Sequence, residues 1–263
     1  MKRAQLLAAQ IGVALLGLLA WHIATTTSIF GDAKQVQFFF STPIDVMLRV
    51  VKEFGSAEIW RHLLITLQET ILAFVFGAAG GILVGFLFAR RELLAAIFDP
   101  YIKAANALPR VVLAPIFALW FGLGIWSKVA LGFTLVFFIV FFAVYQGVRE
   151  VSPTILANAR MLGMNERQLL RHVYWPAALT WTFSSLHTSV GFALVGAVVG
   201  EYLGASAGLG YKIQEAESVF DVTGVFAGMV ILTIFVILID SVVTMIENRL
   251  LVWRPTPGGT VKN

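Results

Sequence analysis

The chain has 263 residues, of which 59% are hydrophobic and only 13% are charged, with a net charge of +4. Soluble domains carry about 25% charged residues, so the composition argues strongly against a water-soluble enzyme of this size. The high hydrophobicity also excludes a disordered chain. Because there is no cysteine, disulfides, zinc–thiolate sites and thiol catalysis are excluded. The composition therefore indicates an integral membrane protein.

Six apolar stretches are long enough to cross a bilayer as helices, which takes about 20 residues each. The stretches are continuous rather than alternating, which excludes the strands of a membrane barrel. We predict one all-α membrane domain over residues 1–263, with spans near residues 6–24, 62–89, 100–121, 126–148, 178–203 and 223–246. The first stretch also resembles a secretory signal peptide, since Lys2 and Arg3 precede it. Its length and the lack of a small-residue cleavage site favour a retained helix.

The distribution of Lys and Arg predicts the orientation. If the chain starts in the cytoplasm, both terminal segments and the second and fourth loops together hold 12 of the 19 basic residues. Because cytoplasmic segments are enriched in Lys and Arg, we predict that both termini are cytoplasmic.

A short helix is predicted before the second span. Thr42 and Pro43 provide a capping hydroxyl and a first-turn proline. The apolar residues Ile44, Met47, Leu48 and Val51 then share one face. Such an amphipathic helix either lies on the outer membrane surface or packs over the bundle.

The longest predicted cytoplasmic loop, residues 149–175, has the pattern of two helices joined by a turn. Ser152 and Pro153 begin the first helix, and Gly163 supplies the left-handed residue that ends it. Asn165 can cap a second helix, which Pro176 closes before the fifth span. A DNA-binding motif has the same outline, but a loop between two spans has poor access to DNA. A protein-docking surface is the better interpretation, with no nucleic-acid partner.

The same loop resembles the E-A-A-x3-G-x9-I-x-L-P motif of permease subunits of bacterial ABC importers. Ala157-Asn158-Ala159, Gly163, Val173, Trp175 and Pro176 occupy the motif positions, and Ala157 replaces the leading glutamate. Two longer stretches, Leu108–Gly124 and Gly200–Tyr211, are similar to the subgroup that transports nitrate, taurine, alkanesulfonates and bicarbonate.

The resemblance implies a type I importer permease with six spans that works as a homodimer in the bacterial inner membrane. Two copies of a separate ATPase would bind ATP and Mg²⁺ and dock on the 149–175 loop, and a periplasmic or lipid-anchored solute-binding protein would deliver a small anion. This chain has no G-x-x-x-x-G-K phosphate loop of its own. In this picture Arg160, or Glu166 with Arg167, replaces the missing glutamate. The implied coupling residues are Ala157, Asn158, Ala159, Arg160, Leu162, Gly163, Glu166 and Pro176.

Polar residues within the spans are candidates for a translocation path, since ionisable groups are costly in lipid. The predicted path residues are Arg110, Ser184, Ser185, His187, Thr188 and Glu201. Bonding to the backbone of their own helix, or between helices, is the alternative for the hydroxyls. Glu69 and Asp240 are interpreted as structural, and Asp240 is predicted to pair with Arg110 or Arg249.

Glycines recur every four positions in two spans, at Gly77, Gly81 and Gly85 and again at Gly196, Gly200 and Gly204. This spacing predicts close helix packing. The pairs in Gly122–Gly124 and Gly208–Gly210 predict tight turns in outer loops, where a binding protein has room to dock.

Two other functions remain open at this stage. An ion-coupled carrier or channel would need no ATPase. A membrane-embedded enzyme would need convergent catalytic groups, yet the four histidines are scattered and neither H-E-x-x-H nor G-x-S-x-G occurs.

Overall fold

The structure, a computed structural model, describes residues 3–27 and 31–250. The predicted cytoplasmic residues Lys2, Arg254 and Lys262 lie outside this part of the chain. The described residues form helices in the order α1 (Arg3–Thr26), α2 (Ala33–Phe40), α3 (Pro43–Phe54), α4 (Ala57–Arg90), α5 (Glu92–Ala107), a 3-10 turn (Arg110–Leu113), α6 (Ala114–Phe121), α7 (Ile125–Arg149), α8 (Pro153–Met161), α9 (Glu166–Leu169), a π-helical segment (Leu170–Tyr174), α10 (Trp175–Gly204), α11 (Leu209–Ser218) and α12 (Val222–Leu250).

Five stretches among the described residues are long and apolar enough to cross a membrane: Gln5–Thr26, Ala57–Arg90, Ile125–Arg149, Trp181–Ser218 and Val222–Ile246. A sixth is obtained if α5 and the helical segment that follows it are counted as one span. The predicted all-α membrane architecture is confirmed, and five of the six predicted stretches fall within α1, α4, α7, α10 and α12.

The third predicted span, residues 100–121, is wrong as a single helix. The chain bends by 87° between Glu92–Ala107 and Arg110–Phe121. Leu108 is extended, with φ −65° and ψ 132°, because the ring of Pro109 disfavours a helical conformation for the residue before it. Pro109 also lacks the N–H that a continuing helix would need.

The core forms where α4, α7 and α10 pack side by side. A Cβ added to Gly77 would lie 2.6 Å from Val136 Cβ, and one added to Gly85 would lie 2.7 Å from Phe141 O. The first predicted glycine seam is therefore the contact between α4 and α7. The backbones can approach so closely only because these positions have no side chain.

The second glycine seam joins α10 to α7. A Cβ on Gly196 would lie 2.4 Å from the Cα of Gly132, and one on Gly200 would lie 2.9 Å from Lys128 Cγ. Gly132 also leaves room for α4, because a Cβ added to Gly132 would lie 2.6 Å from the Cβ of Ala73. Both seams are confirmed, and Gly132 is the point at which the three helices meet.

Helix α3 begins as predicted, with the hydroxyl of Thr42 accepting a hydrogen bond from the N–H of Asp45 at 3.1 Å. It contacts the bundle through a face other than the apolar one named in the prediction. Val46 and Val50 are buried, in a cluster with Ile59 of α4 and residues of α11 and α12. The four residues of the predicted apolar face remain exposed, namely Ile44, Met47, Leu48 and Val51. The helix is thus apolar on both faces, and it packs over the bundle.

Candidate functional site

Helix α8 ends in the turn predicted from the sequence. Gly163 has φ +81°, and its N–H bonds to Arg160 O at 2.9 Å while the N–H of Met164 bonds to Ala159 O at 3.1 Å. This pair of bonds is the Schellman motif, which satisfies the last carbonyl groups of a helix. The start of α8 is also at the predicted residue, Pro153, although the hydroxyl of Ser152 makes no capping hydrogen bond.

The second helix of the 149–175 loop does not end where the sequence predicts. It begins with a capping box, in which the N–H of Gln168 bonds to Asn165 Oδ1 at 2.9 Å and the N–H of Asn165 bonds to Gln168 Oε1 at 2.8 Å. The helix then continues without a break into α10. Pro176 lacks an N–H and would clash in a regular helix. The π-helical segment widens the helix just before Pro176, since the N–H of Trp175 bonds to Leu170 O five residues earlier.

The loop presents most of its predicted coupling residues to the surface. Met161 and Leu162, at the end of α8, are 79% and 80% exposed. Ala159 is the buried member of the set. The exposed members are Ala157, Asn158, Arg160, Leu162, Gly163, Glu166 and Pro176. An apolar tip with polar neighbours is suited to docking against another protein.

Glu166 is held by a residue that the sequence analysis did not select. Its carboxylate lies 2.5 Å from the guanidinium of Arg90 at the end of α4, and 4.0 Å from Arg160. The same guanidinium lies 5.3 Å from the ring centroid of Tyr174. Glu166 therefore makes its ion pair within this chain.

The polar half of α10 divides into two faces. Ser185 donates to Thr182 O at 2.8 Å, and Ser189 donates to Ser185 O at 2.7 Å. These hydroxyls bond to their own helix, as the alternative interpretation proposed. Ser184 and Thr188 instead lie exposed on one face, so of the serine and threonine candidates these two have hydroxyls that face outward from the protomer.

The predicted pairing of Asp240 is wrong, and its partner is the path candidate His187. His187 Nε2 lies 3.2 Å from Asp240 Oδ1, so Asp240 pairs with α10 and not with Arg110 or Arg249. The pair lines a groove of about 190 Å³ together with Thr188 and Gly191. Arg110 donates to Asn106 O at 3.2 Å and lies 4.7 Å from the centroid of the Phe138 ring.

A buried polar arrangement lies at the other end of α10 and holds the turn before α11. Glu201, 1% exposed, accepts a hydrogen bond from Thr66 Oγ1 at 2.6 Å and another from the N–H of Gly210 at 2.7 Å. The N–H of Leu209 bonds to Thr66 Oγ1 and that of Gly208 to His62 Nδ1, both at 2.9 Å. Three successive backbone N–H groups are thus bound by side chains of α4 and α10.

This arrangement corrects two predictions. The turn at Gly208–Gly210 is buried rather than part of an open outer loop. Glu201 points into the protomer, because both of its carboxylate oxygens are bonded there. Gly208 has φ +119°, and a Cβ added to it would lie 2.1 Å from the carboxyl carbon of Glu201. Glycine is therefore required for the turn to approach this carboxylate.

Lys128, near the start of α7, is also buried. It is 1% exposed, and its Nζ donates to Leu123 O and Gly204 O at 2.6 Å each and to Gly124 O at 3.1 Å. The ammonium group thereby joins the α6–α7 turn to the end of α10. Glu69 is buried beside Glu201. We call His62, Thr66, Glu69, Lys128 and Glu201 the turn-binding cluster.

Comparison with known proteins identifies the class: a multi-pass membrane permease of the ABC transporter type. Residues 77–252 match the family of binding-protein-dependent transport system inner membrane components. The chain belongs to this family, which confirms the resemblance found in its motifs.

The relatives are similar over most of their length. The chain is 34% identical to an aliphatic sulfonates transport permease of Bacillus subtilis, over 81% of this chain and 77% of the relative. It is 33% identical to a formylaminopyrimidine transport permease of Halalkalibacterium halodurans, with coverage of 82% and 86%. Identity to the taurine transport system permease of Escherichia coli is 26%, with coverage of 93% and 89%.

A solved structure has the same fold. The inward-facing MetNI methionine ABC transporter matches with a TM-score of 0.57 at 18% identity, covering 77% of this chain and 96% of that chain.

Proposed function

We propose that this chain is the permease subunit of an ATP-driven importer in a bacterial inner membrane, with both termini in the cytoplasm. The observation that carries the proposal is α8, a short helix between two long ones whose tip exposes Met161 and Leu162. Family membership supports an ATPase as its partner. Two ATPase copies would bind ATP and Mg²⁺, since this chain has no phosphate loop. A second copy of the chain, surrounding lipid and a solute-binding protein complete the assembly.

We call residues 149–175 the docking loop. The helix that begins in this loop and continues into α10 gives a physical basis for coupling. From Glu166 to Gly204 the chain is helical without a break. Near the far end of this helix, Glu201 holds the turn before α11. Movement of the ATPase pair would be passed along this helix to the turn-binding cluster. Between these two ends the helix contains Ser184 and Thr188, whose exposed hydroxyls we assign to the translocation path.

For the substrate we propose a small organic anion of the sulfonate type. The Bacillus subtilis and Escherichia coli relatives are described as permeases for aliphatic sulfonates and taurine. A formylaminopyrimidine is the second candidate, because the relative described for that compound is almost as similar. Uptake of both compounds is therefore to be compared on the same purified assembly.

The first experiment is affinity purification from native membranes in mild detergent, followed by reconstitution into vesicles. We expect a P-loop ATPase to co-purify, and uptake to require ATP and a binding protein. If the chain purifies alone and moves solute without ATP, an ion-coupled carrier replaces the importer.

Two matched variants test the docking surface. Leu162 and Val219 are exposed apolar residues that both occupy the C-cap position of a helix. They are predicted to lie on opposite sides of the membrane. Leu162→Asp is expected to release the ATPase during purification, whereas Val219→Asp retains it. Equal retention in both variants would contradict docking at α8.

A further inference from the structure

The last turn of α4 contacts the helix that leaves the docking loop at three points. Arg90 forms an ion pair with Glu166, the first residue of α9, at 2.5 Å. Its guanidinium also covers the ring of Tyr174, the last residue of the π-helical segment. One turn earlier in α4, the ring of Phe86 lies 6.2 Å from that of Trp175. The end of α4 therefore contacts residues on both sides of the π-helical segment.

The π-helical segment is where the docking loop is joined to α10. A π turn holds more residues than an α turn, and such turns are rare and frequent at functional sites. One residue added to an α-helix rotates everything beyond it by about 100°. The segment thus sets the rotation of the docking loop relative to α10, and Arg90 contacts Tyr174 at its end and Glu166 before its start.

Arg90 is fixed in position by the packing of α4. The seam at Gly81 and Gly85 brings the backbone of α4 against that of α7 close to its end. Helix α7 leads directly into the loop that contains α8. Arg90 therefore ties the far end of the docking loop to the same packed helix pair that holds its near end.

We propose that Arg90 is a positioning residue that, through Glu166 and Tyr174, transmits displacement of the docking loop to the α4–α7 pair. The proposal builds on the proposed function, because it assigns a role within ATP-driven import. It also implies that Glu166 acts within the permease rather than as the replacement for the missing motif glutamate at the ATPase surface, since one oxygen of its carboxylate is paired with Arg90. Loss of the contact is expected to uncouple transport from ATP hydrolysis without loss of ATPase binding.

The test uses charge reversal in the full chain, assembled with its ATPase in vesicles. Arg90→Glu and Glu166→Arg are each expected to lower the amount of substrate imported per ATP hydrolysed by about fivefold, the scale of one exposed ion pair with a cation–π contact. The double variant restores the attraction and is expected to recover most of this loss. Arg91→Glu, the exposed neighbour, is the control and keeps the normal ratio.

Any one of three outcomes would overturn the proposal. The single variants keep the normal import per ATP, the double variant is no better than either single variant, or the single variants release the ATPase. Should Arg90→Glu fail to fold, Arg90→Gln and Glu166→Gln carry the same expectation. If the unaltered assembly shows no ATP-dependent import at all, the proposed function itself is refuted, and this result is distinct from normal coupling in the variants.

Discussion

Thr66→Val is expected to detach the turn before α11 from the bundle. Thr66 is 0% exposed, and its hydroxyl both donates to Glu201 and accepts from the N–H of Leu209. Valine has nearly the same shape, so the packing is kept while both partners are left buried without their bond. An unsatisfied buried group costs about 1–3 kcal/mol, so the two groups together give a loss of about 2–6 kcal/mol in the free energy of unfolding.

Thr70→Val is the matched control one turn further along α4. Thr70 is 2% exposed, and its hydroxyl donates at 2.7 Å to the carbonyl of Thr66 in the same helix. Because that carbonyl keeps its helical partner, the loss is expected to be about 1 kcal/mol or less. Unfolding of both variants is measured by thermal and detergent denaturation, with substrate uptake in parallel. Equal losses in the two variants would refute the assignment of Thr66 as the residue that holds the turn.

Three further substitutions test other parts of the structure. Gly208→Ala places a methyl group inside a carboxyl group of the cluster and is expected to abolish folded protein in detergent. Gly122→Ala has open space around it and is expected to cost only about 1–3 kcal/mol, from the backbone conformation at φ +75° and ψ −175° that favours glycine. Gly163→Val strains a residue at φ +81° and is expected to abolish uptake while membrane insertion stays intact. Gly163→Asn is expected to keep uptake, because asparagine tolerates this conformation. Normal uptake with valine would contradict the assignment of this turn to coupling. Lys128→Met removes a buried donor from three carbonyls and is expected to lower the stability measured by thermal denaturation by about 2–4 kcal/mol. The exposed control Lys103→Met is expected to cost less than about 1 kcal/mol. Equal losses would contradict the role of Lys128 in joining the α6–α7 turn to α10.

The long helices and their seams are predictable because their signals are local. Apolar runs give the spans, and glycines four residues apart mark one face of one helix. The bend in the third span also had a local signal at Leu108–Pro109, but the hydropathy of residues 100–121 hid it. Average hydropathy does not distinguish a helix from two apolar segments that meet at 87°.

The turn-binding cluster was beyond such reasoning because its partners are far apart in the chain. Thr66 and Glu201 are separated by 135 residues, and His62 and Gly208 by 146. Hydropathy treats each polar residue as a cost and does not show that another helix supplies its partner. One signal was present: the spacing of His62, Thr66 and Glu69 places polar residues on one face of an otherwise apolar helix.

The substitution of Ala157 for the motif glutamate has a consequence for how α8 docks. The helix Pro153–Met161 carries Arg160 as its one charged residue, and Glu166 is already bound by Arg90. In the proposed function, docking through α8 would depend on the apolar tip at Met161 and Leu162 and on the positive charge of Arg160 rather than on a negative one. An ATPase that recognises a glutamate at position 157 would find an alanine there, and the carboxylate of Glu166 is already paired with Arg90. The sequence predicts that the loop is a docking surface, and the structure shows that the charge carried by α8 differs from that of the motif it resembles.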